Sequence, residues 1–283
     1  MNSFQISDTK QIFLSSTENA NVIKKNSTYN SKIDFKLPRL VNRDNKNILY
    51  NTIKLIHAEI PYSFYTINES NNKLYYKNLN TNETFIKTIP KGNYNGNTLI
   101  TAIVNLFLPT AVSLTLDNST GVFTFSSSIQ FQFLTGANSI NKILGLGQNM
   151  NYITQFNNGQ YSLVFPYSLN ILGSKCIFVK ATNLVLENLN TKTQDRSTIK
   201  SIPINVSPFG LIMYNNIENI ETIIKNKQVD NLEIELLDDD NNLINFENQE
   251  WSITLEIKSV VLVNQSYLNI NEYLARATLA DPE

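Results

Sequence analysis

Asp238, Asp240 and Asn242 stand at the alternating spacing that opens an EF-hand calcium loop. The remainder of that loop is missing. Leu243 occupies the place of the glycine that makes the sharp turn, and Gln249 occupies the place of the closing bidentate acid. Three adjacent carboxylates, Asp238, Asp239 and Asp240, repel one another unless they are hydrated or bound to a cation. A cation site of another design therefore stays open beside the simpler reading of a wet turn. His57 is the single histidine, and a hydrolytic triad needs a base beside its nucleophile. Its parity with Ile53 and Leu55 in a β-type segment predicts a hydrogen-bonded residue of a sheet. Cys176 is the single cysteine, which excludes an intramolecular disulfide and a thiolate metal cage. The apolar run around it predicts a buried, inert thiol. Gly145 and Gly147 begin a GxGxxG pattern that fails at Met150, and no Walker-type phosphate loop occurs. No pair of carboxylates is singled out for glycosidase chemistry. On these residues no catalytic, cofactor-binding or metal-ligating position is assigned, and the chain is expected not to be an enzyme.

What remains is the framework that holds such residues. Leu232, Ile234 and Leu236 alternate with Glu233 and Glu235, and Trp251, Ile253, Leu255 and Ile257 alternate with Ser252, Thr254 and Glu256. Period two marks strands with one dry and one wet face. The Asp and Asn cluster between them favours a turn, so the two strands are expected to pair as a hairpin. Further strands are expected at Lys32–Leu37, Ile48–Tyr65, Lys73–Lys77, Thr84–Ile89, Val112–Leu116, Phe123–Phe125, Ile129–Phe133, Tyr161–Phe165, Lys175–Leu186, Ser197–Val206 and Leu211–Tyr214. Leu99, Ile103 and Phe107 recur every fourth residue, which predicts one helix over Thr98–Phe107, with Asn97 as N-cap and Pro109 as its stop. Ile217–Lys225 is expected to form one or two helical turns. Such spacings predict an all-β two-sheet sandwich or jelly roll of about eight core strands.

Charged residues make up 17% of the chain, below the roughly 25% usual for soluble proteins, and Asn, Ser and Thr take the polar positions. The formal net charge is −1, so no global field attracts nucleic acid or an acidic membrane. Residues 1–46 are locally basic, with eight Lys or Arg against four Asp or Glu. The first twenty residues lack an apolar signal core, and no run reaches the roughly 18 apolar residues of a spanning helix. Synthesis in a cytosol is expected, with no transmembrane segment. Organisation is read as an N-terminal arm over 1–27, a core domain over 28–263 carrying an inserted region at about 90–160, and a C-terminal tail over 264–283.

Several segments together resemble a known family. They are IHAEIPYSFYTIN from Ile56, the unit IPKGNYNGNTLITAI with TLDNSTGVFTF and INKILGL, IPINVSPFGLIMYNN from Ile202, and VDNLEIELLDDDNNLINFENQEWSITLEI from Val229. Their order and spacing, over most of residues 11–263, are similar to those of minor capsid or penton proteins of virophages, polinton-like viruses and related large DNA viruses. The resemblance implies a single jelly roll, to which the residue pattern adds one short helix and an inserted hairpin region. It implies a structural virion protein that forms a homopentamer at the icosahedral vertex, beside trimeric major capsid proteins of the double-jelly-roll type. Another minor position in the shell, or a jelly-roll module for a host glycan or receptor, is the alternative. The family offers no catalytic residues to carry over, and synthesis would take place in the host cell cytoplasm.

Overall fold

The computed structural model describes residues 2–17, 22–25, 29–37, 48–184, 186, 196–224, 229 and 231–264. In chain order the first four strands are β1 (Asn2–Ser15), β2 (Val22–Lys25), β3 (Lys32–Lys36) and β4 (Ile48–Pro61). Then come β5 (Lys73–Asn78), β6 (Glu83–Thr88), helix α1 (Gly96–Leu106), β7 (Val112–Asp117), β8 (Val122–Ser127) and β9 (Phe131–Leu134). A short helix α2 (Asn141–Leu144) precedes β10 (Tyr152–Ile153), β11 (Gln155–Asn157) and β12 (Gln160–Ser168). The chain closes with β13 (Cys176–Ala181), β14 (Thr198–Pro203), β15 (Leu211–Asn215), β16 (Thr222–Ile224), β17 (Asn231–Leu237) and β18 (Ser252–Asn264).

Two compact units result, Met1–Phe64 with Ser174–Glu283, and Tyr65–Gly173. In the first, one sheet runs β1-β18-β4-β15, with β16 also on β4, and the other runs β14-β13-β17-β3-β2. Setting β2 aside and counting β15 with β16 as one, the strands number 1-8-3-6 in one sheet and 5-4-7-2 in the other. That order is a jelly roll, in which every pairing is antiparallel and the chain crosses between sheets at each step except from the fourth strand to the fifth, β13 to β14, which pair in one sheet. The two inner faces meet in one core. Ile53, Leu55, Ile253 and Leu255 come from the first sheet, and Ile33, Phe35, Ile177, Leu232 and Ile234 from the second.

The alternation at Leu232–Leu236 and Trp251–Ile257 is present, but the two strands do not pair. β17 lies between β13 and β3, and β18 lies between β1 and β4 in the opposite sheet. Asp238 starts a local turn closed by the Leu237–Leu243 bridge, after which Ile244 and Phe246 enter the core and carry the chain across. Burying those two side chains favours the crossing over a tight hairpin.

Other expectations also differ from the structure. Within the expected arm over 1–27, Asn2–Ser15 is a paired edge strand and Val22–Lys25 pairs with β3. The tail over 264–283 lies outside the described residues, apart from Asn264 at the end of β18. Ile217–Lys225 is not helical where described, because Thr222–Ile224 pairs with β4. The inserted region is wider than 90–160 and is a unit of its own. Its sheets run β10-β9-β5-β6 and β11-β12-β8-β7, around a separate core of Tyr76, Phe107, Phe123, Phe125, Phe131, Phe133 and Phe165. Helix α1 begins two residues early. Asn95 is the N-cap, accepting from the Thr98 N–H at 2.9 Å, while the Thr98 hydroxyl accepts from the Asn95 N–H at 3.0 Å. This reciprocal pair satisfies two N–H groups at once, which Asn97 could not do from within the first turn.

Candidate functional site

One network of polar side chains of the first unit lies on the outer face of the β1-β18-β4-β15 sheet. Antiparallel register sets Gln11 of β1 beside Glu256 of β18, and Glu256 beside Lys54 of β4. Lys54 and Lys258 approach Glu256 Oε1 at 2.7 and 3.3 Å. Lys258 also donates to Glu221 Oε2 at 3.2 Å, which accepts from the Thr52 hydroxyl at 3.1 Å, and Lys54 donates to Asn219 Oδ1 at 2.6 Å. Burial pushes the Glu256 carboxyl up, but hydrogen bonds from Lys54, Gln11 and Lys258 together hold it below the usual carboxylate range. Lys258 is raised because bonding to Glu221 and Glu256 outweighs its burial. With its members paired and its cations adjacent, the network locks strands together and leaves no poised acid or base.

His57 lies further along the same face, and a β-bulge put it there. Leu55 opposes Leu255 and His57 opposes Thr254, so the register shifts between them. One extra residue reverses parity. Ile53 and Leu55 point into the core, then Ala58 and Ile60 do, and His57 points out. Its Nδ1 lies 2.7 Å from Asn215 Oδ1 on β15 and its Nε2 lies 3.3 Å from Glu59 Oε1. The bond to Asn215, with help from Glu59 and against burial, raises the imidazole above its ordinary value. The sheet role expected of His57 is therefore present, though its side of the sheet is the opposite one.

The acidic turn is self-satisfied at Asp238. Its Oδ1 accepts from the Asp240 N–H at 2.9 Å and the Asn242 N–H at 2.8 Å, and its Oδ2 accepts from Asn242 Nδ2 at 3.2 Å. Burial raises its carboxyl despite these bonds. Asp239 accepts weakly from the Lys175 N–H at 3.4 Å. Short polar side chains bonding the local backbone are the physics of a turn. Among the described residues no group of three or more His, Cys, Asp or Glu is placed to hold a metal ion. Cys176 is half-buried on the outward parity of β13, with Ile177 and Val179 taking the core positions, so the expectation of a buried thiol is corrected.

No family model matches the chain, and no curated protein matches it. It is similar to the mavirus penton protein. That crystal structure aligns over 88% of this chain and 99% of its own at 10% identity, with a TM-score of 0.44. A chain in the cryo-EM structure of the Sputnik virophage aligns over 88% of this chain and 97% of its own at 12% identity, with a TM-score of 0.40.

Two exposed apolar features escaped the sequence reading. Phe13 protrudes from the outer face of β1, 68% exposed, opposite Thr254. At the other edge of the sheet, Phe209, Leu211, Met213, Ile217 and Ile220 are exposed on and around β15. The run LIMY read as a strand but did not reveal that Leu211 and Met213 face outward while Ile212 is buried. In the second unit the β11–β12 hairpin presents exposed Phe156 against Tyr161 with ring centroids 5.2 Å apart. Among the described residues, no helix is long and apolar enough to cross a membrane.

Proposed function

We propose that the chain is a structural protein of a viral capsid, specifically the penton that forms pentamers at the icosahedral vertices beside the major capsid protein. The observation that carries this reading is the 1-8-3-6 and 5-4-7-2 strand order of the first unit. Three of the segments that resemble the penton and minor capsid family fall on or beside its strands, Ile56–Asn68 on and after β4, Ile202–Asn216 on β15, and Val229–Ile257 across β17 and β18, while Ile89–Ile103, Thr115–Phe125 and Ile140–Leu146 fall in the second unit. Lys54, Glu256, Lys258 and His57 are engaged in bonding between strands, as a rigid building block requires. A ring of identical wedges needs one face to meet a different face of its neighbour. The locked outer face of the sheet keeps such faces in fixed relation.

The test is direct. Purified virions are digested and their proteins identified by mass spectrometry, and the recombinant chain is imaged by negative stain and weighed by native mass spectrometry. The reading expects the chain in virions in far fewer copies than the major capsid protein, and a five-fold ring. A chain absent from virions would overturn the capsid role. A chain present in virions that never forms the ring would move the assignment to another minor position in the shell.

One observation favours a second role, recognition of a host glycan. The β11–β12 hairpin sets Phe156 and Tyr161 among exposed Gln155, Asn157, Asn158 and Gln160, and residues 143–174 contain no charged side chain. Rings flanked by amides suit a neutral sugar. Binding on a glycan array, lost in Phe156→Ala, is the expected result, and a flat array removes this reading.

A further inference from the structure

Asparagine is followed by glycine twice in the chain, at Asn95–Gly96 and at Asn158–Gly159, and the fold treats the two pairs in opposite ways. Such a pair can modify itself. The backbone nitrogen of the second residue can attack the side-chain amide carbon of the first, and glycine has no Cβ to hinder the approach. Asn95 is tied down against this. Its Oδ1 accepts from the Thr98 N–H, its N–H donates to the Thr98 hydroxyl, and its carbonyl accepts from the Leu99 N–H at 3.0 Å. Gly96 is closely packed as well, since a Cβ there would lie 2.6 Å from Leu116 Cδ2. Turning this peptide toward the Asn95 side chain would break the cap of α1.

Asn158–Gly159 has none of these restraints. The two residues form the loop between β11 and β12, where Asn157 stands opposite Gln160. Both are left-handed, at φ 49° and 83°, which is the geometry that selects Asn-Gly in a two-residue hairpin. Both are exposed, and a Cβ at Gly159 would meet nothing within 4 Å. Among the described residues, neither the Asn158 side chain nor the Gly159 N–H has a hydrogen-bond partner. The adjoining strand gives little support, because β11 is a three-residue edge strand whose side chains are all exposed. A tip of this kind opens locally at small cost. Opening lets the backbone leave the turn and bring the Gly159 nitrogen to the Asn158 amide carbon.

We propose that Asn158 is a site of spontaneous deamidation, and that the reaction unzips the tip of the β11–β12 hairpin. The Gly159 nitrogen gives up its proton to hydroxide and bonds to Asn158 Cγ. The Cγ–Nδ2 bond breaks, and the amide nitrogen takes a proton from water and leaves as ammonia. The cyclic imide that remains adds water at one of its two carbonyls and reopens as aspartate or isoaspartate. Water is the sole co-reactant. Either product places the first charge in residues 143–174. Isoaspartate also routes the main chain through the side-chain carbon, which lengthens a turn whose two-residue length sets the register. Asn157 and Gln160 then lose their opposition, and the Phe156–Tyr161 contact on the next pair goes with it. The chemistry needs neither of the two functional readings above, so its failure would leave both in place.

Ageing the full, unaltered chain in mildly alkaline buffer tests it. Peptide mass spectrometry follows the amide-to-acid change at both pairs, and an isoaspartyl methyltransferase assay scores isoaspartate. Asn158 should convert roughly tenfold faster than Asn95, the factor that an N-cap of ordinary strength sets. The rate should rise with pH, because the attacking nitrogen must lose its proton. Equal rates at the two pairs, or no conversion at Asn158, would overturn the proposal. Hydrogen exchange over residues 155–162 should quicken in step with the isoaspartate fraction. It should stay unchanged in aged Asn158→Gly, which suits the left-handed turn and has no amide to lose. Conversion without faster exchange would overturn the unzipping. Faster exchange in the aged Asn158→Gly chain would do the same, by placing the cause elsewhere.

Discussion

Phe35 and Trp251 meet edge to face across the jelly roll, with ring centroids 6.4 Å apart and planes inclined at 75°. Phe35 belongs to β3 in one sheet, and Trp251 immediately precedes β18 in the other, so this pair joins the two layers. The Trp251 indole N–H donates to Asn30 O at 2.5 Å, and its backbone N–H donates to the Ser16 hydroxyl at 2.9 Å. With 1% of Trp251 exposed, Trp251→Ala should cost about 3–5 kcal/mol. Trp251→Phe keeps an edge-to-face partner and loses the indole bond, so it should cost about 1–3 kcal/mol. Urea denaturation followed by far-ultraviolet circular dichroism gives both values, and equal losses in the two variants would show that packing is not the dominant part.

Much of this arrangement was legible in the sequence, because alternation reports which face of a strand is dry. Ile33, Phe35, Leu232, Ile234, Leu236, Ile253 and Leu255 all occupy the core that their spacing implied. Partnership was not legible. Nothing local distinguishes a β17–β18 hairpin from a crossing between sheets, since the decision rests on Ile244 and Phe246 finding room in a core built by distant strands. β1 looked like an arm because Gln11–Leu14 is a short apolar stretch inside polar sequence, and among the side chains described there Ile12 and Leu14 alone turn to the core. His57 was placed on the wrong side because a bulge leaves no mark in single-residue types.

Gly145 ends α2 at φ 85°, and a Cβ there would lie 2.0 Å from the Tyr167 carbonyl oxygen. The close approach has a purpose, since the Tyr167 N–H donates to Gly145 O at 3.0 Å and ties α2 to β12. Left-handed backbone alone costs a side chain about 1–3 kcal/mol, and the collision with backbone adds to it. Gly145→Ala should lower the thermal midpoint of the second unit. An unchanged midpoint would mean that the α2–β12 approach can relax without loss.

Glu256 is a buried acid between two cations, so removing it leaves Lys54 and Lys258 facing each other in a largely buried place. Glu256→Ala should cost about 3 kcal/mol, at the low end for a broken buried pair. The pH dependence has a definite sign. The folded carboxyl is held below its ordinary 4.5, so its contribution is present above that value and is lost as pH falls through the folded one. Acid titration of stability in the two proteins should converge at low pH, and parallel curves would show that the network is not ion-paired.

His57 gives the opposite slope. An imidazolium can donate to Asn215 Oδ1 and Glu59 Oε1 together, whereas the neutral ring has a single N–H. The facing groups on β18 and β15, Thr254 and Asn215, are uncharged, so Glu59 is the charge that matters. With the folded value raised above 6.5, the stabilisation is fully present below 6.5 and is lost as pH rises through the folded value. Stability measured in steps through this range should fall for the unaltered chain relative to His57→Gln. A difference that stays constant with pH would show that the ring acts by packing alone.

The second unit should fold by itself. Its core is drawn wholly from residues 67–165, with Phe107 in ring contact with Tyr76, Phe125, Phe131 and Phe133. Each of its strands pairs within the unit. Conversely, all strands of the jelly roll lie before Phe64 or after Ser174, and loops between elements tolerate insertion and removal because closure entropy grows slowly with length. A polypeptide of residues 65–173 should therefore melt cooperatively and give dispersed amide resonances. A chain in which a short Gly-Ser linker replaces those residues should keep the unfolding transition of the jelly roll, with Trp251 fluorescence buried as before. Loss of that transition would mean that the jelly roll draws stability from the second unit. A molten 65–173 fragment would mean that its aromatic core needs the jelly roll to order it.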